Sequence, residues 1–95
     1  MSRVLAGPFA GRILHDLGAE VVKIEPPEGD VTRHWGKVRA GLAGYYTQQN
    51  IGKRNVCIDL RAEGGTEIIR RLATEADVLI ENFRPGVMKK YGLSY

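Results

Sequence analysis

From Phe9 the apolar positions Phe9, Ile13, Leu14 and Leu17 recur at helical spacing, which predicts a helix over about residues 8–17. Pro8 suits its first turn, where a missing N–H has no helical partner to lose, and Gly18 suits its end. Val21, Val22 and Ile24 then make a short β-branched run closed by Pro26-Pro27, a pair that continues neither a sheet ladder nor a helix. A strand over about 19–25 follows from it. Residues 26–42 mix glycine, proline, charge and Trp35 without a period and read as one long loop able to cover a ligand. A second helix is expected around 43–50. Asn55-Val56-Cys57-Ile58-Asp59-Leu60 reads as a strand, and Ile68, Ile69, Leu72 and Ala73 mark one face of a helix over about 63–75. Glu67 and Arg71 are spaced i, i+4 on that helix. The apolar run Val78-Leu79-Ile80 predicts a strand over 77–81, and Pro85 and Gly92 bracket a last short helix.

Helices alternate with strands in this order, which argues for a parallel sheet covered by helices. The expected class is α/β, a Rossmann-like parallel sheet with flanking helices. The 95 residues fit one domain with a thin core. At 43% hydrophobic and 26% charged residues the composition is that of a globular protein, and no apolar run approaches the roughly 18 residues a membrane span needs. A cytoplasmic protein without membrane attachment is expected, since Met1-Ser2-Arg3-Val4 has no secretory pattern. The net charge of +3 is spread along the chain in pairs such as Lys53-Arg54 and Lys89-Lys90. That distribution points to a small anionic ligand and away from nucleic acid. Cys57 stands alone in a strand and reads as a buried core thiol. With His15 and His34 far apart it makes no ligand spacing, so no metal is expected.

Three segments offer candidate chemistry. Gly7-Pro8 opens a helix, whose N-terminal amides favour an anion, although the same residues make an ordinary strand-to-helix turn. Asn82 and Phe83 follow a strand whose carboxyl end faces a ligand crevice, where an amide and a ring could hold a cofactor arm or simply cap the core. Ile58 to Arg61 spans another strand end, with Arg61 able to point a cation at a phosphate. Asp16, Lys23, Glu25 and Asp30 lack fixed acid/base partners and read as helix caps, surface ion pairs and loop hydrogen bonds. His34-Trp35 either contacts an acyl group or orders its loop.

Val4-Leu5-Ala6-Gly7-Pro8-Phe9-Ala10, Gly18-Ala19-Glu20-Val21-Val22-Lys23-Ile24-Glu25-Pro26-Pro27 and Val78-Leu79-Ile80-Glu81-Asn82-Phe83-Arg84-Pro85-Gly86 together resemble the family III coenzyme A transferases. Gly29-Asp30-Val31-Thr32-Arg33 and Asn50-Ile51-Gly52-Lys53-Arg54-Asn55-Val56 resemble that family's two intermediate motifs, in the family's order. The resemblance covers the whole chain. It implies that residues 1–95 are the amino-terminal part of a longer Rossmann-like domain, with the nucleophilic aspartate beyond Tyr95 and no catalytic residue within this stretch. It further implies a coenzyme A site lined by Val4, Leu5 and Ala6, by Ile58, Asp59, Leu60 and Arg61, by Asn82, Phe83 and Arg84, and by Lys90. Arg61 and Lys90 fall where the family places basic residues for cofactor phosphates. Pro26 departs from formyl-coenzyme A transferase, which has arginine there, so the adenine end must be held differently. The implied reaction moves coenzyme A between an acyl-coenzyme A and a carboxylic acid, in a homodimer or together with the remainder of the family fold.

Three other readings of the residues stay open. Within the family, the runner-up is a racemase exchanging the proton beside a thioester carbonyl, which this sequence does not separate from a transferase. Outside it, Gly7 opening a helix and Glu25 closing the next strand imitate a dinucleotide-binding module, against which Pro8 removes an amide donor and Gly7-Pro8-Phe9-Ala10-Gly11 is not G-x-G-x-x-G. A non-catalytic interaction protein, binding a partner through a bare sheet edge, is the third class.

Overall fold

The computed structural model describes residues 1–94. Helix α1 spans Ala6–Asp16, and its buried face is made of small residues, Gly7, Pro8 and Gly11. It ends where Gly18 adopts φ 101°, a left-handed conformation that costs glycine nothing. Strand β1 (Val22–Glu25) follows, then a 3₁₀ turn over Val31–His34, a hairpin of β2 (Val38–Arg39) and β3 (Leu42–Ala43), and α2 (Gly44–Asn50). Strand β4 (Arg54–Cys57), α3 (Gly65–Thr74) and α4 (Val87–Lys90) complete the order. The fold is mixed α/β with flanking helices, as the alternation predicted. Its parallel sheet is the pair β1–β4, in which Val22 lies opposite Arg54 and Glu25 opposite Cys57, and β2 and β3 pair antiparallel.

Both strands are shorter than the sequence pattern indicates. Pro26-Pro27 end β1, so β4 has only one further backbone bond to make, from the Ile58 N–H to the Glu25 carbonyl at 2.9 Å. The segment predicted as a strand at 77–81 takes no regular structure. A strand needs a ladder partner, and between this segment and β1 lies a cavity of about 610 Å³ lined by Val21, Ile24, Leu72, Val78 and Ile80 among others. The expected loop 26–42 is more ordered than its composition indicates. It carries the 3₁₀ turn and the hairpin, and Trp35 packs on Tyr45 with ring centroids 5.6 Å apart, which is the loop-ordering role.

The hydrophobic core consists of Ala43, Ile58 and Ile69, while Leu17, Val22, Val56, Val78 and Leu79 are exposed. Cys57 is exposed too, contrary to the buried thiol expected, because every residue of β4 faces solvent. On α3 the Glu67 carboxylate pairs with Arg70 at 3.2 Å, an i, i+3 contact in place of the expected i, i+4 pair with Arg71. Lys53 fastens α1 to α2: its ammonium donates to the Pro8 carbonyl at 2.6 Å, the Gln49 carbonyl at 2.8 Å and Asn50 Oδ1 at 2.9 Å. Burial pushes that amine down to about 8.

Candidate functional site

The strongest polar cluster sits at the carboxyl end of β1. Lys23 and Glu25 alternate with Val22 and Ile24, yet it is the charged pair that is buried and Val22 that is exposed. Their charge is met from the loop that follows. Gly29 turns at φ 77° so that the chain doubles back after Pro27, placing Asp30 Oδ2 2.8 Å from Lys23 Nζ and Arg33 Nε 2.8 Å from Glu25 Oε2. Asp30 also caps the 3₁₀ turn, accepting from the Thr32 N–H at 3.0 Å and the Thr32 hydroxyl at 2.8 Å. Glu25 accepts in addition from the Asp30 N–H at 2.9 Å, from the Tyr46 hydroxyl and from Asn55 Nδ2. The Arg33 guanidinium lies 4.0 Å from the Tyr46 ring centroid, a cation–π contact.

These bonds set the electrostatics. Burial alone pushes the Glu25 carboxyl up, but the donors from Arg33, Tyr46, Asp30 and Asn55 outweigh it and hold the group at about 2. Asp30 is lowered by the same balance, burial opposed by Lys23 and Thr32. Tyr46 is pushed up to about 12 by burial and by donating to the Glu25 carboxylate. Glu25 and Asp30 are thus anions fully engaged by their neighbours, held as scaffold rather than as proton carriers. The sequence reading of Asp30 as a cap holds; the reading of these pairs as surface pairs does not, because Lys23, Glu25 and Asp30 are all buried. Arg33, Tyr46 and Asn55 escaped notice as site builders. The signal available was the spacing Glu25-x₄-Asp30-x₂-Arg33 around a proline pair and a glycine.

Of the expected ligand-lining residues, Val4 and Ile58 meet this cluster through their backbone N–H groups. The Val4 N–H donates to Asp30 Oδ2 at 3.3 Å, Leu5 is the N-cap residue of α1, and Ala6 opens that helix. Ile58 is buried beside Glu25, whereas Asp59 accepts from the Arg61 N–H and Nε, each at 2.9 Å. The Arg61 guanidinium also comes within 3.6 Å of Glu28, and the hydrogen bonds from the Arg61 side chain and N–H hold the Asp59 carboxyl below the usual range. Leu60 is half-buried in the turn that leads to α3. The segment before Asn82 meets the chain start through the Met1 amine, which donates to the Ile80 carbonyl at 2.8 Å. Phe83 is half-buried and its N–H donates to Glu81 Oε2 at 2.7 Å, while Asn82 and Arg84 are exposed. Lys90 is exposed at the end of α4, its Nζ 5.8 Å from the Tyr91 ring centroid.

The whole of residues 1–95 matches the sequence profile of CoA-transferase family III. The chain belongs to that family. A crystal structure of a CAIB/BAIF family protein from Brucella suis shares the fold with a TM-score of 0.92 at 51% identity, covering 100% of this family III chain and 26% of that one. Succinate–glutarate CoA-transferase of Agrobacterium fabrum is 48% identical over 103 residues, spanning 100% of this chain and 26% of its own. Human succinyl-CoA:glutarate CoA-transferase is 44% identical over 97 residues, with 22% of its length covered. The family III chain thus spans about a quarter of the length of these relatives, as an amino-terminal segment of them. Family membership displaces the dinucleotide-binding reading of Gly7 and Glu25.

Proposed function

We propose that this chain forms part of a coenzyme A site, in a protein that moves coenzyme A between an acyl-coenzyme A and a carboxylic acid. The observation that carries the reading is the match of all 95 residues to the family, in relatives whose names join coenzyme A to succinate and glutarate. Residues 1–95 then act as the amino-terminal part of a Rossmann-like domain that positions the cofactor. Val4, Leu5 and Ala6 offer backbone at the start of α1, Asn82 and Phe83 an amide and a ring, and Arg61, Arg84 and Lys90 cations for phosphate. The chemical step uses a carboxylate nucleophile outside this stretch, which attacks the thioester carbonyl and expels the coenzyme A thiolate to leave a mixed anhydride on the enzyme. Attack of that thiolate on the anhydride releases the donor acid and leaves an enzyme thioester, from which the acceptor acid takes coenzyme A. A homodimer, or association with the rest of the family fold, completes the site.

Calorimetric titration with coenzyme A, 3′-dephospho-coenzyme A and NAD tests the binding role. Saturable coenzyme A binding, weakened by loss of the 3′-phosphate, is expected. Preference for NAD would overturn it, and no binding by the folded chain would overturn the claim that this stretch binds coenzyme A without the rest of the family fold. Appreciable acyl transfer by the chain alone would refute the claim that its nucleophile lies elsewhere.

A further inference from the structure

Val4 and Ala40 are the non-glycine residues with positive φ among those described, and Val4, at 69°, is β-branched. A branched side chain on Cβ makes that conformation an outlier that persists only where the surroundings impose it. The imposing groups act on Val4 and on the residues just before it. Its N–H donates to Asp30 Oδ2 at 3.3 Å, and two residues earlier the Ser2 carbonyl accepts from Lys23 Nζ at 3.3 Å. Lys23 and Asp30 are themselves paired at 2.8 Å, with 6% and 1% of their surfaces exposed. Thr32 fixes the carboxylate by donating twice to its other oxygen. Gly7 completes the arrangement, since a side chain there would collide with Ser2. A buried ion pair is a poor source of net stability, because desolvation offsets its attraction. Its spare donor and acceptor here both reach the same strained loop.

We propose that the Lys23–Asp30 pair is a positioning device that holds Val4 left-handed and thereby aims the Val4-Leu5-Ala6 backbone at the ligand. This rests on the coenzyme A reading given above for that segment. Neither Lys23 nor Asp30 touches the ligand; both act through Val4.

The test uses the full chain and the variants Asp30→Asn, Val4→Gly and the two combined. Amide hydrogen exchange at Val4 and at Ile69 is followed by NMR, coenzyme A affinity by calorimetry and stability by urea. In Asp30→Asn, Val4 exchange is expected to quicken at least tenfold beyond any change at Ile69, and affinity to fall about tenfold. Adding Val4→Gly recovers affinity to within about threefold of wild type without recovering stability, because glycine adopts positive φ freely. Unchanged Val4 exchange in Asp30→Asn, or affinity lost in step with stability and not recovered by Val4→Gly, overturns the device. If Asp30→Asn does not fold, Val4→Gly alone decides: affinity and stability at or above wild type support the left-handed hold, and a clear loss of either overturns it. Absence of coenzyme A binding in wild type overturns the ligand reading itself, while Val4 exchange still decides whether the hold exists.

Discussion

At the scale of single residues, the Glu25 carboxylate receives donors from Arg33, Tyr46, Asn55 and the Asp30 N–H. Its folded pKa, about 2, lies below its ordinary value of 4.5, so the stability it contributes is fully present above about pH 4.5 and is lost as pH falls toward 2. The shift corresponds to something on the order of 3 kcal/mol. Urea unfolding from pH 7 down to pH 2 should therefore show a decline that Glu25→Gln makes shallower, Asp30 supplying part of what remains, with the variant about 3 kcal/mol weaker at pH 7. An unaltered pH slope in the variant would refute this assignment. Little of the cluster was legible in advance. Lys23 and Glu25 sit at alternate strand positions, where polarity normally marks a solvent face, and their burial arises only because the chain after Pro27 folds back to supply Asp30 and Arg33. Periodicity carries no record of such a return.

At the scale of elements, the helices were legible because their apolar spacing and their terminal glycines and proline act locally. The strands were not, because a ladder depends on a neighbour distant in sequence: Val78-Leu79-Ile80 has the composition of a strand and lacks the partner. Fine packing was equally invisible. Gly65, the first residue of α3, lies against the Asp59 carbonyl, and an added methyl group would have to displace backbone. Gly65→Ala should cost about 1–3 kcal/mol in urea unfolding. Gly44→Ala, at the open start of α2, should leave stability unchanged or raise it by up to about 1 kcal/mol. Equal effects at the two sites would contradict the packing described. Lys53→Met removes the fastening of α1 to α2 and should lower stability by about 1–2 kcal/mol.

At the scale of the whole molecule, exposed apolar side chains outnumber buried ones. Leu17 at 80% and Val78 at 64% exposure have no cover, and the edge of β1 away from β4 opens on the cavity. The chain should self-associate, with an apparent mass that rises with concentration in sedimentation; a concentration-independent monomer would count against this. Exposed Cys57 should react with a thiol reagent in the native chain as readily as in the unfolded one, and protection that disappears only on unfolding would show that β4 is covered.

The pairing of β1 with β4 has a consequence for the order of events in folding. Val22 meets Arg54 across thirty-two positions of chain, and closing a loop of that length costs about 3 kcal/mol of entropy before any strand contact rewards it. Helices α1 and α3 draw on neighbours only four residues away and form without that delay. In a refolding experiment, helical circular dichroism should return first. Protection of the amides between β1 and β4 should return in a later phase, together with the bond from Asn55 that seals Glu25.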